Sequence, residues 1–190
     1  MRMKVVQLGD PILRTKADKV PIDEIGSQKF QNIIDQMIQT MRGIKAVSSA
    51  HGNGLAAPQI GQPYQIIALF YVGTYQVFIN PEISKKSSEV FDYSEGCLSY
   101  FYLRAKLKRH RHITVSCFDQ HGTKLKLKFS DDIAGFAQHE IDHINGIPYI
   151  DRITDMTNLV SAHEQYRDNP QKLNSVVKVI EYITEVSPKE

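Results

Sequence analysis

The sequence predicts an α+β fold, in which small, mainly antiparallel sheets pack around a central helix, with a long N-terminal helix and a C-terminal helix. Three observations predict it. Phe30, Ile33, Ile34, Met37, Ile38, Met41 and Ile44 recur at spacings of three and one, which makes one buried helical face. Between Ile66 and Phe129 the apolar residues fall in short β-rich runs or alternate with polar ones, the period of strands. Beyond them Ile133, Ala137, Ile141 and Ile144 return to a helical period.

At 190 residues the chain suits one domain over 1–190 with a sizeable core. The 23 Lys and Arg balance 21 Asp and Glu, so neither DNA nor an acidic membrane surface is implied as a partner. Ile66 to Val72 is the longest apolar run, far short of the about 20 residues that span a bilayer. Met1-Arg2-Met3-Lys4 is followed by no apolar stretch of signal-peptide length, so a cytoplasmic location is expected. Two cysteines, Cys97 and Cys117, read as free thiols or ligands in such a reducing compartment.

Taken in order, Asp10-Pro11-Ile12-Leu13-Arg14 predicts a capped single turn of helix, with proline where its missing N–H costs little. The long helix is expected from about Ile25 to Ala46, its methionines in the core. Residues 47–64 read as a glycine-bearing loop. Two strands, Ile66 to Val72 and Tyr75 to Ile79, flank Gly73-Thr74 as a two-residue hairpin. An extended stretch is expected from about Ile83 to Tyr93. The basic run Lys106 to His112 reads as a solvated, alternating edge strand. Two half-buried strands, with Cys117 in the core, flank the turn Asp119 to Gly122. Ser130-Asp131-Asp132 offers N-caps for the next helix, and Asn145-Gly146 its stop. A final helix is expected from about Gln171 to Val186, within a C-terminal segment 166–190, with Leu173, Val176, Val177, Ile180 and Ile183 on one side.

The chemistry centres on Gln138-His139-Glu140-Ile141-Asp142-His143, an H-E-x-x-H pattern. At about 100° per residue, helical positions four apart point within about 40° of each other, so both imidazoles reach one metal ion. Glu140 stays off the ion, free to move protons. The histidines also lie off the arc of Ile133, Ala137, Ile141 and Ile144, so packing does not require them.

A third ligand must come from elsewhere, and three positions compete. His139 to Gly146 matches a longer H-E-x-x-H-x-x-G-x-x-H pattern, but its last letter is Tyr149, not histidine. Glu164, 21 residues after His143, stands at a distance suited to peptidases whose third ligand is a glutamate on the next helix. Cys97 offers a thiolate, with Gly96 before it to let the backbone approach a metal.

Three segments together resemble the signature motifs of the peptide deformylase family, in its order and near its spacings: Gly52-Asn53-Gly54-Leu55-Ala56-Ala57-Pro58-Gln59, Glu95-Gly96-Cys97-Leu98-Ser99 and Gln138 to His143. The resemblance extends from Leu8 to about residue 153. It implies a mononuclear metal hydrolase that removes the formyl group from the initiator methionine of nascent polypeptides. Cys97, His139 and His143 would hold a divalent ion, Fe2+ first, with Zn2+, Ni2+ or Co2+ as substitutes. Glu140 would take a proton from the attacking water and pass it to the leaving amine. The Gln59 side-chain amide and the Leu98 backbone N–H would steady the charge on the formyl oxygen. Gly54 and Arg104 match positions that meet the substrate. The methionine side chain would be received around Ile133, Ala134 and Gly135 to Ala137.

After Ser99 the sequence departs from the family: Tyr100-Phe101-Tyr102-Leu103 replaces a proline-containing turn. These aromatics narrow the entrance, close over substrate or pack the loop, and Tyr100 joins the candidates for substrate contact. A transient ribosome contact accompanies a basic C-terminal helix in some members. Here Lys172, Lys178 and Lys189 are cancelled by Glu181, Glu185 and Glu190. Two rivals stand beside the main reading: a gluzincin-like metallopeptidase using Glu164, and a diverged family member that acts on other N-formyl compounds or only binds them.

Overall fold

A computed structural model describes residues 3–184. Among them, eight strands form two antiparallel sheets, and four α-helices pack against these. The larger sheet has the order β1-β2-β3-β6-β7, built from Gly54–Ala56, Ile66–Tyr71, Thr74–Lys86, His112–Phe118 and Lys124–Ser130. The smaller has the order β4-β5-β8, from Val90–Gly96, Leu103–His110 and Leu159–Ser161. Between the sheets runs α2, Asp131–Ile144, in contact with strands of both. The helices α1, Gln28–Val47, and α4, Pro170–Thr184, pack on each other, with the short α3, Ala162–Gln165, alongside α4. No helix among the described residues is long and apolar enough to cross a membrane.

Strand alternation explains the layering. Side chains of β2 point to opposite faces in turn. Ile66 and Ala68 therefore join the core beneath α1, and Ile67 and Leu69 the core beneath α2. On α2, Ala134, Ala137, Ile141 and Ile144 fill that second core. A third cluster, containing Leu13, Cys97, Tyr100, Leu107 and Tyr149, closes the space behind the smaller sheet. Cys117 is buried in the second core, as its strand position predicts.

The structure differs from expectation at several elements, each for a local reason. The long helix starts at Gln28, because Ile22–Glu24 forms a separate 3-10 turn and Ile25 is buried ahead of it. Within the predicted loop, Gly54–Ala56 pairs with β2 and Ala57–Ile60 forms a 3-10 turn. The hairpin turn is Val72-Gly73 and Thr74 already pairs with Tyr71. Both turn residues have positive φ, +50° and +75°, which matches the twist of two-residue hairpins. The stretch from Ile83 divides between β3 and β4 at residues 87–89. The basic run is no edge: β5 is the central strand, with β4 and β8 on either side. Its alternation sends Leu107 and Arg109 inward and Lys106 and Lys108 to solvent.

The stop of α2 is as predicted. Gly146, at φ +70°, donates to the His143 carbonyl, and Ile147 to that of Asp142, which caps the last turn. The Ser130 hydroxyl makes no cap bond and meets His112 Nδ1 instead. On α4 the buried residues are Val176, Val179 and Ile183, whereas Val177 faces solvent. The part of the predicted helix at Glu185 and Val186, and Lys189 and Glu190 in its charge balance, lie outside the described residues.

Candidate metal centre and active site

Cys97, His139 and His143 converge although 42 residues separate the first two in sequence. Their ligand atoms all lie within 4.8 Å of one another, and all three residues are buried. Cys97 Sγ is 3.1 Å from His143 Nε2. The helix supplies both imidazoles one turn apart, and the end of β4 delivers the thiol to them across the gap between helix and sheet.

One nitrogen of each ring is committed elsewhere or hidden. His139 Nδ1 meets Glu95 Oε2 at 2.7 Å, which leaves Nε2 for the centre. A ligand histidine held through its second nitrogen by a carboxylate is a recurrent feature of metal sites. His143 Nδ1 is buried with no partner among the described residues. Burial opposes charge on His139, but Cys97 and Glu95 lift it well above the usual range. Burial and the neighbouring His139 push His143 well below it. The donor set of one sulfur and two nitrogens, all within 4.8 Å of one another, fits a soft or borderline divalent ion.

Behind Glu95 lies a network the sequence reading missed. Arg109, only 3% exposed, donates through Nε to Glu95 Oε1 at 2.5 Å and through Nη1 to Asp142 Oδ2 at 2.6 Å. Arg152 reaches the same Asp142 from the surface. With His139 and Arg109 as partners, Glu95 is held at about 2 against the cost of burial. Its only sequence signal was position, two residues before Cys97 in the shared motif.

Glu140 is buried on the same helix, with Oε2 unpartnered among the described residues. A Cβ added at Gly54 would stand 2.2 Å from Glu140 Oε1, so the glycine makes room for the carboxylate. Burial pushes Glu140 up to about 7. Gln59 is also buried: its Oε1 accepts from Ala56 N–H at 2.8 Å, which turns Nε2 toward Cys97 Sγ, 3.4 Å, and Ser99 Oγ, 3.3 Å. Leu98 begins the 3-10 turn that follows Cys97.

A cleft of about 210 Å³ opens over these groups. Gly54, Gln59, Cys97, Leu98, His139 and Glu140 all line it. Arg104 lines it too, with its guanidinium flat against Gly96; a Cβ there would be 2.6 Å from Arg104 Cζ. Gly96 therefore makes room for arginine, whereas the sequence suggested room for a metal. The aromatic segment divides: Phe101 lines the cleft, Tyr102 is 64% exposed, and Tyr100 packs edge-on against Tyr149 behind Cys97. Tyr100, expected as a substrate contact, is thus a packing residue, because the 3-10 turn directs it into the third core cluster. Of the residues expected around the methionine side chain, Phe136 reaches the cleft, while Ala134 and Ala137 are core. Tyr93 completes that wall and was not foreseen. Glu164 lies on α3, paired with Arg167 at 2.8 Å and more than half exposed, apart from the three-ligand cluster.

A buried Cys-His-His donor set, a free carboxylate on the H-E-x-x-H helix and an overlying cleft make a site of the kind metal-dependent hydrolases use, on an α+β scaffold. Comparison with known proteins specifies it further. The polypeptide deformylase family matches residues 2–159, so the chain belongs to that family. It is 39% identical over 160 residues to a peptide deformylase of Dictyoglomus turgidum, covering 84% of this chain and 97% of that one. It is 36% identical over 172 residues to the chloroplastic peptide deformylase 1A of Solanum lycopersicum, covering 80% of this chain. The chain spans 60% of the length of that plant relative. The Met-Ala-Ser-bound crystal structure of a class I type b peptide deformylase from Acinetobacter baumannii superposes with a TM-score of 0.72 at 30% identity, covering 80% of this chain and 99% of that one.

Proposed function

We propose that this protein hydrolyses the N-formyl amide of the initiator methionine on nascent polypeptides, releasing formate. The carrying observation is the convergence of Cys97, His139 and His143, with Cys97, His139 and Glu140 lining one cleft. The ligand atoms are assigned as Cys97 Sγ, His139 Nε2 and His143 Nε2, with ferrous iron as the ion and zinc, nickel or cobalt as substitutes. A divalent ion held there supplies Lewis acidity to water and to the formyl carbonyl.

The protein's own groups do the rest. Glu140 takes the proton of the attacking water and hands it to the departing amine nitrogen, and its carboxyl at about 7 suits both directions near neutral pH. The Gln59 amide, fixed by Ala56 N–H, and the Leu98 backbone N–H donate to the developing negative charge on the formyl oxygen. Glu95, anchored by Arg109, holds His139 in one orientation. Tyr93 and Phe136 offer apolar surface for the methionine side chain. Formyl is preferred to acetyl because a tight site has room for hydrogen on the attacked carbon and none for methyl. The reaction takes place where formylated chains are made, in a bacterial cytoplasm or an organelle derived from one, with transient contact to the ribosome as part of this reading.

The test is formate release from formyl-Met-Ala-Ser by the anaerobically purified, metal-loaded protein. Formate at turnover rates supports the reading. No formate from protein with a full metal site overturns it and leaves a binding role.

A further inference from the structure

The loop that enters the cleft carries a polar group that the proposed reaction leaves unused. His51 lines the cleft, three residues before the Gly54 that lies against Glu140. Its Nδ1 stands 2.8 Å from the hydroxyl of Ser48, and Ser48 Oγ accepts in turn from the hydroxyl of Ser175, on α4, at 2.6 Å. With Ser175 donating to Ser48, the Ser48 hydrogen is free for His51 Nδ1; in that order Nδ1 accepts and the ring proton is on Nε2. With the Nδ1 edge committed, Nε2–H is the donor His51 has for the cleft.

Other contacts hold the ring in place and uncharged. Phe101 lies 5.2 Å away, centroid to centroid. Burial, reinforced by Arg104 and Lys45, keeps the imidazole down at about 4, hence neutral at physiological pH. Gly52, at φ +71°, sits so close to α1 that a Cβ would be 2.9 Å from the Met41 carbonyl oxygen. From Gly54 to His51 the chain spans at most about 10 Å, the length of a few residues of bound peptide.

We propose that His51 is a substrate-binding residue, which donates Nε2–H to a backbone carbonyl of the peptide downstream of the formylated residue, with Ser48 and Ser175 as positioning residues. A neutral N–H suits such a contact, because every downstream residue carries a carbonyl and the peptide is gripped without selection of its side chains. The inference rests on the deformylase reading, and it ties α4 to the cleft through one serine.

The test measures binding of the peptide Met-Ala-Ser and of methionine amide, which lacks the downstream carbonyls, to the metal-loaded full chain by calorimetry. His51→Leu is expected to weaken Met-Ala-Ser by about three- to tenfold, the range of one uncharged hydrogen bond, and to leave methionine amide unchanged. His51→Gln, which keeps a neutral donor, should recover most of that loss. In 15N NMR of the wild type, His51 should carry its proton on Nε2, and Ser175→Ala should shift the tautomer balance. The inference is overturned if His51→Leu affects both ligands alike or neither, or if the wild-type proton is on Nδ1; this last measurement needs no variant to fold. Wild-type protein that binds neither ligand and releases no formate would overturn the deformylase reading as well. Wild-type protein that releases formate while His51→Leu binds normally would overturn this inference alone.

Discussion

Glu140 has one carboxylate oxygen against Gly54 and the other buried without a partner among the described residues, an arrangement that stability alone would not favour. Glu140→Gln is therefore expected to keep the metal and lower formate release by about 10²- to 10⁴-fold, measured with metal content on the same sample. Cys97→Ala should empty the centre and Glu164→Ala should not; the reverse result by elemental analysis would restore the peptidase alternative. His51 makes a separate prediction about pH. Its folded value of about 4 lies below the ordinary 6.5, so between these values the unfolded chain binds a proton that the folded chain does not. Stability should fall as pH drops through that window. The charged groups facing it, Arg104 and Lys45, are both cationic and add to the penalty. Urea midpoints at pH 7 and pH 4.5 check this: His51→Leu should lose less than the wild type, and an equal loss would place the source elsewhere.

At the scale of elements, glycines mark where one segment presses on another. Gly43 stands inside α1, where alanine is intrinsically better by about 1 kcal/mol. A Cβ there would meet the Tyr182 ring on α4, 1.6 Å from its hydroxyl oxygen. Gly43→Ala should thus raise the melting temperature less than the same change in a Tyr182→Ala background, where the ring is gone. Strand β5 shows what an isolated element conceals. Its alternation was legible, but a central strand with one solvated face reads like an edge strand, and the covering strand is only Leu159–Ser161. Helix α2 hides less, since its period, its glycine stop and the angle between its histidines are all properties of one helix.

Across the whole molecule, the buried ion pairs join the smaller sheet to the central helix. Arg109 of β5 connects Glu95 of β4 with Asp142 of α2, and Arg152 extends the chain to the surface. Arg109→Leu would leave two buried carboxylates short of their cation, a loss of about 3–5 kcal/mol in urea unfolding. Breaking the exposed Lys108–Asp92 pair should leave the urea midpoint nearly unchanged, because solvent and salt screen it. Removing the metal with a chelator should lower the melting temperature, because an ion that binds only the folded chain stabilises it by mass action.

By itself the sequence determined the α+β class, the two long helices, the hairpin strands and the pairing of His139 with His143. These follow from periodicity and from bonds a few residues apart, which the local chain dictates. From the residues alone the third ligand stayed open between Cys97 and Glu164, and only resemblance favoured the cysteine. Tertiary structure brought Cys97 to the histidines, turned Tyr100 away from the cleft, buried Arg109 between two acids and set Ser175 behind His51. Each depends on how two sheets close around α2, where burial makes a charge without its partner costly and so selects which distant residues must meet.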